Sequence, residues 1–246
     1  MTGRWRALLR LYAVQGAWNY ERMLGVGMGY AAEPLLADLA AADPVRHSEA
    51  VVRSAEFFNC NPNLAGLALG ATVRAEYLGV PGDQVARLRT ALCSPLGALG
   101  DQLFWAGVVP ALIGATIVGA VVGLKLAAVV TFLIVYNLFR LTVGGWSLST
   151  GLASGAAVGH AIASSWLPRW SARIGAYAAF SIGVAAPVAA GWFLHGYAWR
   201  GTAGALGVAL TGILLGRLWG RTFTAVRFAL VAMGTALLLR WVIGFL

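Results

Sequence analysis

The pattern of apolar and polar positions divides the chain near residue 101. Up to there, apolar residues recur at helical spacing and are interrupted by charge; beyond it they run on almost unbroken. In the front part the punctuation predicts four helices. The first runs from near Trp5 to Tyr30 or Leu39. The second covers 44–58 and opens on Asp43-Pro44, because proline suits a first helical turn, where its missing N–H is no loss. Residues 57–63 break that helix, since Asn61 precedes Pro62 and a residue before proline is pushed out of the α region. A third helix reaches about Leu78, and Gly79-Val80-Pro81-Gly82 turns the chain. A fourth covers 83–93, and 94–101 reads as a Gly/Pro-rich loop that leads straight into an apolar segment.

In the rear part, charge-free runs cover 102–124, 141–168, 174–199 and 201–216. A bilayer-crossing helix takes about 20 apolar residues, so 102–124 and 174–199 are long enough. Run 141–168 is polar in places, and the stretches 126–139, 201–216 and 223–239 rely on Arg side chains snorkelling to the interface. The expected fold is therefore all-α: a polytopic integral membrane protein with broken or re-entrant segments and about five or six membrane segments. Two parts follow, a mixed-charge helical region 1–101 and an apolar transmembrane region 102–246. Glycines four apart (Gly151, Gly155 and Gly159; Gly212, Gly216 and Gly220; Gly119 and Gly123) predict closely packed helix faces.

Composition sharpens this picture. Hydrophobic residues make up 59% and charged residues 11%, with mean hydropathy +0.75. A soluble domain carries about 25% charged residues, so this chain has too few to coat a water-facing surface. The net charge of +9 sits beside apolar spans, which points to cytoplasmic flanks and anionic lipid rather than to nucleic acid. Arg169/Arg173 and Arg217/Arg221/Arg227 read as such flanks. No secretory signal pattern opens the chain; Arg4-Trp5-Arg6 reads as the start of a basic, aromatic, interfacial helix. Cys60 and Cys93 suggest no disulfide framework, and no spacing suggests a metal site or another cofactor.

Every one of the nine carboxylates lies at or before Asp101. A carboxylate proton relay through the rear part is thereby excluded. No phosphate-binding Gly-rich loop with Lys-Ser/Thr is present, and His47, His160 and His195 are isolated. The candidate chemistry lies in three polar clusters. In Gln15-Gly16-Ala17-Trp18-Asn19-Tyr20-Glu21-Arg22, helical spacing puts Gln15, Asn19 and Arg22 on one face beside Trp18. Amides, a carboxylate and an indole are what a sugar site uses: hydrogen bonds to hydroxyls and an aromatic plate against C–H groups. The second cluster is Phe57-Phe58-Asn59 with Asn61-Pro62; the third is Gly100-Asp101 with Trp105. Each also has a plain reading: an ion pair for Glu21, a helix cap for Asp101, an interfacial anchor for Trp105.

The order Gln-Gly-Ala-Trp-Asn-Tyr-Glu-Arg (15–22), Glu-Phe-Phe-Asn-Cys-Asn-Pro (56–62), Ser-Pro-Leu-Gly-Ala-Leu-Gly-Asp-Gln-Leu-Phe-Trp-Ala-Gly (94–107) and Tyr-Asn-Leu-Phe-Arg (136–140) resembles the IID membrane component of the mannose/fructose/sorbose family of the bacterial phosphotransferase system. The resemblance runs from residue 11 to about 155. It implies a subunit that pairs with a IIC membrane component, assembles as oligomers of IIC–IID pairs in the bacterial inner membrane, and takes up a hexose that a soluble IIB (IIA/IIB) phosphocarrier phosphorylates. It implies a place at the sugar for Gln15, Trp18, Asn19, Glu21, Arg22, Asn59, Pro62, Asp101 and Trp105, and a structural loop at Pro95, Gly97 and Gly100. No phosphorylation site belongs to this chain itself. The chain departs from the family pattern at Cys93-Ser94, at Ser54-Ala55 and at Arg74, where a carboxylate is expected. These departures leave a second class open: a non-transporting membrane scaffold or regulator of the same fold.

Overall fold

The computed structural model describes residues 2–194. In chain order they form α1 (Arg4–Tyr12), α2 (Gly25–Ala42), α3 (Pro44–Ser54), α4 (Ala65–Tyr77), α5 (Gly82–Leu103), α6 (Val109–Gly119), α7 (Lys125–Ser154), α8 (Val158–Ser164) and α9 (Leu167–Leu194), with no strand among the described residues. The all-helical fold expected from the pattern is the one found.

α4 is the axis. Residues 65–73 are all buried, and a helix that is apolar on every side has to be enclosed by others. Its tightest neighbour is α7. A Cβ on Gly70 would stand 2.4 Å from the Leu152 nitrogen, and one on Gly151 would stand 2.4 Å from the Leu67 oxygen. Backbone therefore meets backbone with no side chain between. Helices from both the mixed-charge and the apolar stretch share this core.

α6 and α7 form a hairpin. Gly123 has φ 102° and Lys125 φ 34°, which ends one helix and reverses the chain. Phe104 meets Phe139 with ring centroids 5.4 Å apart, and a Cβ on Gly119 would lie 3.0 Å from the Ala128 Cβ, so the two arms run back along each other. α9 lies along the end of α5 and along α6: Ser171 Oγ donates to the Leu99 carbonyl of α5 (3.1 Å) and Ser181 Oγ to the Ala111 carbonyl of α6 (2.7 Å). Serine hydroxyls spent on a neighbouring helix are a usual adhesive where there is no water. Two stretches among the described residues, Gly82–Ser164 with its hairpin and Leu167–Phe193, are long and apolar enough to cross a membrane.

Several expectations are corrected. The first helix is not continuous to Tyr30: α1 stops at Tyr12, 14–17 form a 3₁₀ turn, and Trp18 is extended (φ −63°, ψ 136°). Asn19 is the cause, because its Oδ1 accepts from the amides of Glu21 (3.1 Å) and Arg22 (2.8 Å) and holds a turn instead of a helix. Gln15, Asn19 and Arg22 consequently share no helical face. The 94–101 loop is absent as well. Pro95, Gly97 and Gly100 lie inside α5, and a Cβ on Gly100 would come 2.2 Å from the Asn61 Cβ, so the glycine serves close packing against 58–63. The 151/155/159 ladder is broken, since Gly155 (φ 53°) ends α7 and nothing lies within 4 Å of a Cβ on Gly159. His195, Gly212, Gly216, Gly220, Arg217, Arg221, Arg227 and the stretches 201–216 and 223–239 lie outside the described residues.

The start of α3 follows the pattern. Asp43 caps it by accepting from the Arg46 amide (3.0 Å), with Pro44 in the first turn. Asp43→Ala is expected to cost about 1 kcal/mol, the usual worth of such a cap, measured as a small drop in thermal midpoint in detergent.

Candidate functional site

The residue types singled out in three separate stretches come together at one place. A cavity of about 90 Å³ is lined by Leu11, Tyr12, Val14, Gln15, Pro62, Asn63, Gly66, Trp105, Tyr136, Arg140, Gly144 and Ser147. The wall is built from the end of α1 and its 3₁₀ turn, the break before α4, a π-type turn over Phe104–Val108, and the middle of α7. All but the last break or tighten a helix, which frees polar groups to face inward.

Arg140 crosses from α7 to the front of the chain. Its Nη2 donates to the Tyr12 carbonyl (2.9 Å), and its guanidinium lies 5.7 Å from the centre of the Tyr12 ring. The Tyr12 hydroxyl in turn donates to the Leu141 carbonyl (2.7 Å). Burial pushes the Tyr12 phenol above its ordinary range, and the nearby Arg140 charge pulls it part of the way back. Gly144 is needed here, since a Cβ would meet the Tyr12 ring at 2.6 Å. Ser147 Oγ donates to the Gly144 carbonyl (2.9 Å), and a Cβ on Gly66 would lie 2.4 Å from that Oγ.

Behind the wall sits a row of polar groups. Asn61 is 1% exposed; its Nδ2 donates to Asp101 Oδ1 (2.9 Å), and its Oδ1 accepts from the Asn63 amide (3.1 Å) and from Asn63 Nδ2 (3.2 Å). Of the residues expected at the sugar, Gln15, Pro62 and Trp105 line the cavity and Asp101 stands behind it. Trp18, Asn19, Glu21, Arg22 and Asn59 do not line it. They sit on a short surface bridge in which the Leu24 amide donates to the Phe58 carbonyl (2.9 Å) and the Phe58 amide to the Arg22 carbonyl (3.2 Å). Pro95, Gly97 and Gly100 belong to α5.

Sequence reasoning passed over Tyr12, Asn63, Tyr136, Arg140 and Ser147. A signal for two of them was present, because Tyr136 and Arg140 begin and end the Tyr-Asn-Leu-Phe-Arg block. The cavity offers amides, hydroxyls, an indole and one guanidinium, and no carboxylate lines it. Such groups can hydrogen-bond to and stack against a polyhydroxylated solute. Among the described residues, no group of three His, Cys, Asp or Glu is placed to hold a metal ion.

The buried axial helix, the apolar hairpin and this polar cleft define an all-helical membrane protein. The model for the phosphotransferase (PTS) system mannose/fructose/sorbose family IID component matches residues 2–189, and the chain belongs to that family. It is 30% identical over 154 residues to the PTS system mannose-specific EIID component of Escherichia coli (strain K12), covering 60% of this chain and 53% of that protein. It is 28% identical over 147 residues to the fructose permease IID component of Bacillus subtilis (strain 168), covering 57% and 52%. The chain thus spans about half the length of the curated relatives it matches. In structure it resembles a chain of the mannose transporter ManYZ in complex with microcin E492 (MceA), with TM-score 0.57, 26% identity, and 74% and 69% of the two chains covered. It also resembles a solved membrane protein with TM-score 0.62 at 26% identity, covering 73% and 67%.

Proposed function

We propose that this chain pairs with a IIC-type membrane subunit in the bacterial inner membrane, as a multi-pass protein with about five or six segments, and that the pair takes up a mannose-type hexose. A soluble IIB-type protein then phosphorylates the sugar, and the working unit is an oligomer of such pairs. The single observation that carries this reading is the convergence of Gln15, Asn63, Trp105, Arg140 and Ser147 on one cleft from four separate stretches. The similarity to mannose-specific and fructose IID proteins supports the solute class. Size supports the partner. A small-molecule site takes about 300–1,000 Å³, whereas this cleft holds about 90 Å³, which is in keeping with one wall from this chain and the rest from a second subunit.

The test is hexose uptake by cells carrying this chain with its IIC and IIB partners. Asn63→Ala and Arg140→Gln are each expected to raise the half-saturating sugar concentration by about tenfold, the scale of one hydrogen bond to or from a charged or buried group. Immunoblots of the membrane fraction normalise for folded protein, because Arg140 also holds the Tyr12 carbonyl. Unchanged uptake by both variants rules out this cleft as the sugar site.

A further inference from the structure

We infer that Asp101 is a positioning residue that acts on the solute through Asn61 and Asn63 rather than by touching it, an inference that rests on the sugar-binding reading of the cleft. Asp101 is absent from the cavity wall, yet it is tied to that wall by an unbroken row of side chains.

The argument turns on the polarity of an amide. Asn61 is buried and pressed against Gly100, where a Cβ would come 2.2 Å from its own Cβ, so the side chain has one place to lie. Shape does not decide which of its two ends is oxygen, because the amide is nearly symmetric in outline. A carboxylate accepts and never donates. With Asp101 at one end, Nδ2 of Asn61 has to point there, at 2.9 Å, and Oδ1 has to point the other way. That oxygen meets two donors of Asn63, the backbone amide at 3.1 Å and Nδ2 at 3.2 Å. Were Asn61 reversed, its oxygen would face the carboxylate and its N–H groups would face two more N–H groups, leaving several buried groups unmatched.

The consequence reaches the cleft. Asn63 is 8% exposed and lines the cavity. One N–H of its side-chain amide is held by Asn61, so its Oδ1 and its second N–H are left for the cavity in a fixed sense. The acceptor oxygen that Asp101 presents thus determines which face of Asn63 the solute meets. The row also starts at the residue where α5 runs into the apolar hairpin and ends in the turn before α4, so it links the two elements that flank the cleft.

The experiment is a double-mutant cycle on the full chain with its IIC and IIB partners, using radiolabelled D-mannose, D-fructose and L-sorbose as probes. Asp101→Leu is expected to raise the half-saturating concentration about tenfold while the maximal rate per folded IIC–IID pair holds, which a merely structural defect would not do. Asp101→Asn, which keeps an acceptor oxygen for Asn61, is expected to recover most of that loss. Asp101→Leu combined with Asn63→Ala is expected to be no worse than Asn63→Ala alone, because both break the same row. The inference is overturned if the two losses multiply, if Asp101→Asn is as poor as Asp101→Leu (a direct contact by the charge), or if Asp101→Leu lowers only the maximal rate. If Asn63→Ala is impaired and Asp101→Leu is not, the row is wrong and the cleft stands. Unchanged half-saturation in Asn63→Ala, or no uptake of the three probes by the unaltered chain, sinks the sugar-binding reading and this inference with it.

Discussion

Glu76→Gln is expected to destabilise the protein by about 3 kcal/mol, the cost of leaving buried charge without its counter-ion. Glu76 is 3% exposed near the end of α4. Its Oε2 stands 3.0 Å from Arg46 Nη2 and its Oε1 accepts from Arg53 Nε at 2.8 Å, both guanidiniums reaching over from α3 and themselves only 21% and 16% exposed. Arg46 also donates to the Val80 carbonyl, and Arg53 packs over Gly82 with the exposed Glu49 4.0 Å away as its second, weaker partner. The neutral amide keeps the shape and loses the charge that compensates Arg46 and the nearer of the two that compensate Arg53. For a chain of this size the loss corresponds to a fall in thermal midpoint of roughly 6–12 °C, read by tryptophan fluorescence in detergent. The exposed Arg10–Glu33 pair provides the contrast. Its side chains are 25% and 57% exposed, so Glu33→Gln is expected to cost less than about 1 kcal/mol. Equal shifts for the two variants would show that burial does not set the worth of these pairs.

Gly70→Val is expected to remove at least about 3 kcal/mol and to leave little folded protein in the membrane. The first added carbon would lie 2.4 Å from the Leu152 nitrogen and 2.7 Å from both the Gly151 carbon and the Leu148 oxygen. All three are backbone atoms of α7, so no rotamer change makes room, and the two helices have to separate along the core. Gly159→Ala is the matched control. It sits in α8 with nothing within 4 Å of the new Cβ, and it is expected to be neutral or mildly stabilising, because alanine favours helix over glycine. A Gly70→Val chain with an unshifted midpoint would mean that α4 and α7 do not pack as closely as described.

What could be read from the chain depended on how local the controlling force was. The start of α3 was legible because Asp43 and Pro44 act within one turn. The break before Pro62 was legible only in part: Pro62 holds Asn61 extended, but α3 already ends at Ser54, short of the expected 58, where no such local signal stands. The 94–101 stretch misled because proline and glycine carry the same signal in a loop as in a packed helix. Only the presence of Asn61 against Gly100 tells them apart, and that contact joins residues about 40 positions distant. The 15–22 stretch misled in the opposite sense. It reads as a helix until Asn19 turns back on the amides of Glu21 and Arg22 and residues 22–24 pair with Phe58.

The cleft divides along the same line. Gln15, Pro62 and Trp105 stood out because polar or aromatic residues are noticeable beside glycine and proline in a mixed-charge segment. Arg140 and Ser147 did not, because in an apolar run a lone arginine looks like an interfacial anchor and a lone serine like a residue bonded to its own helix. Ser147 indeed donates to Gly144 within its own helix; its role shows only once α4 is seen pressed against it at Gly66.

The reversal at Gly123 has a topological outcome. Because the two arms it joins run back along each other, with Phe104 opposite Phe139, Asp101 and Thr142 stand level at the open end of the hairpin, and whatever depth its tip reaches, the excursion between them adds zero or two to the count of bilayer crossings and never one. Membrane-impermeant thiol labelling of single cysteines placed at 101 and 142 must then report the same side.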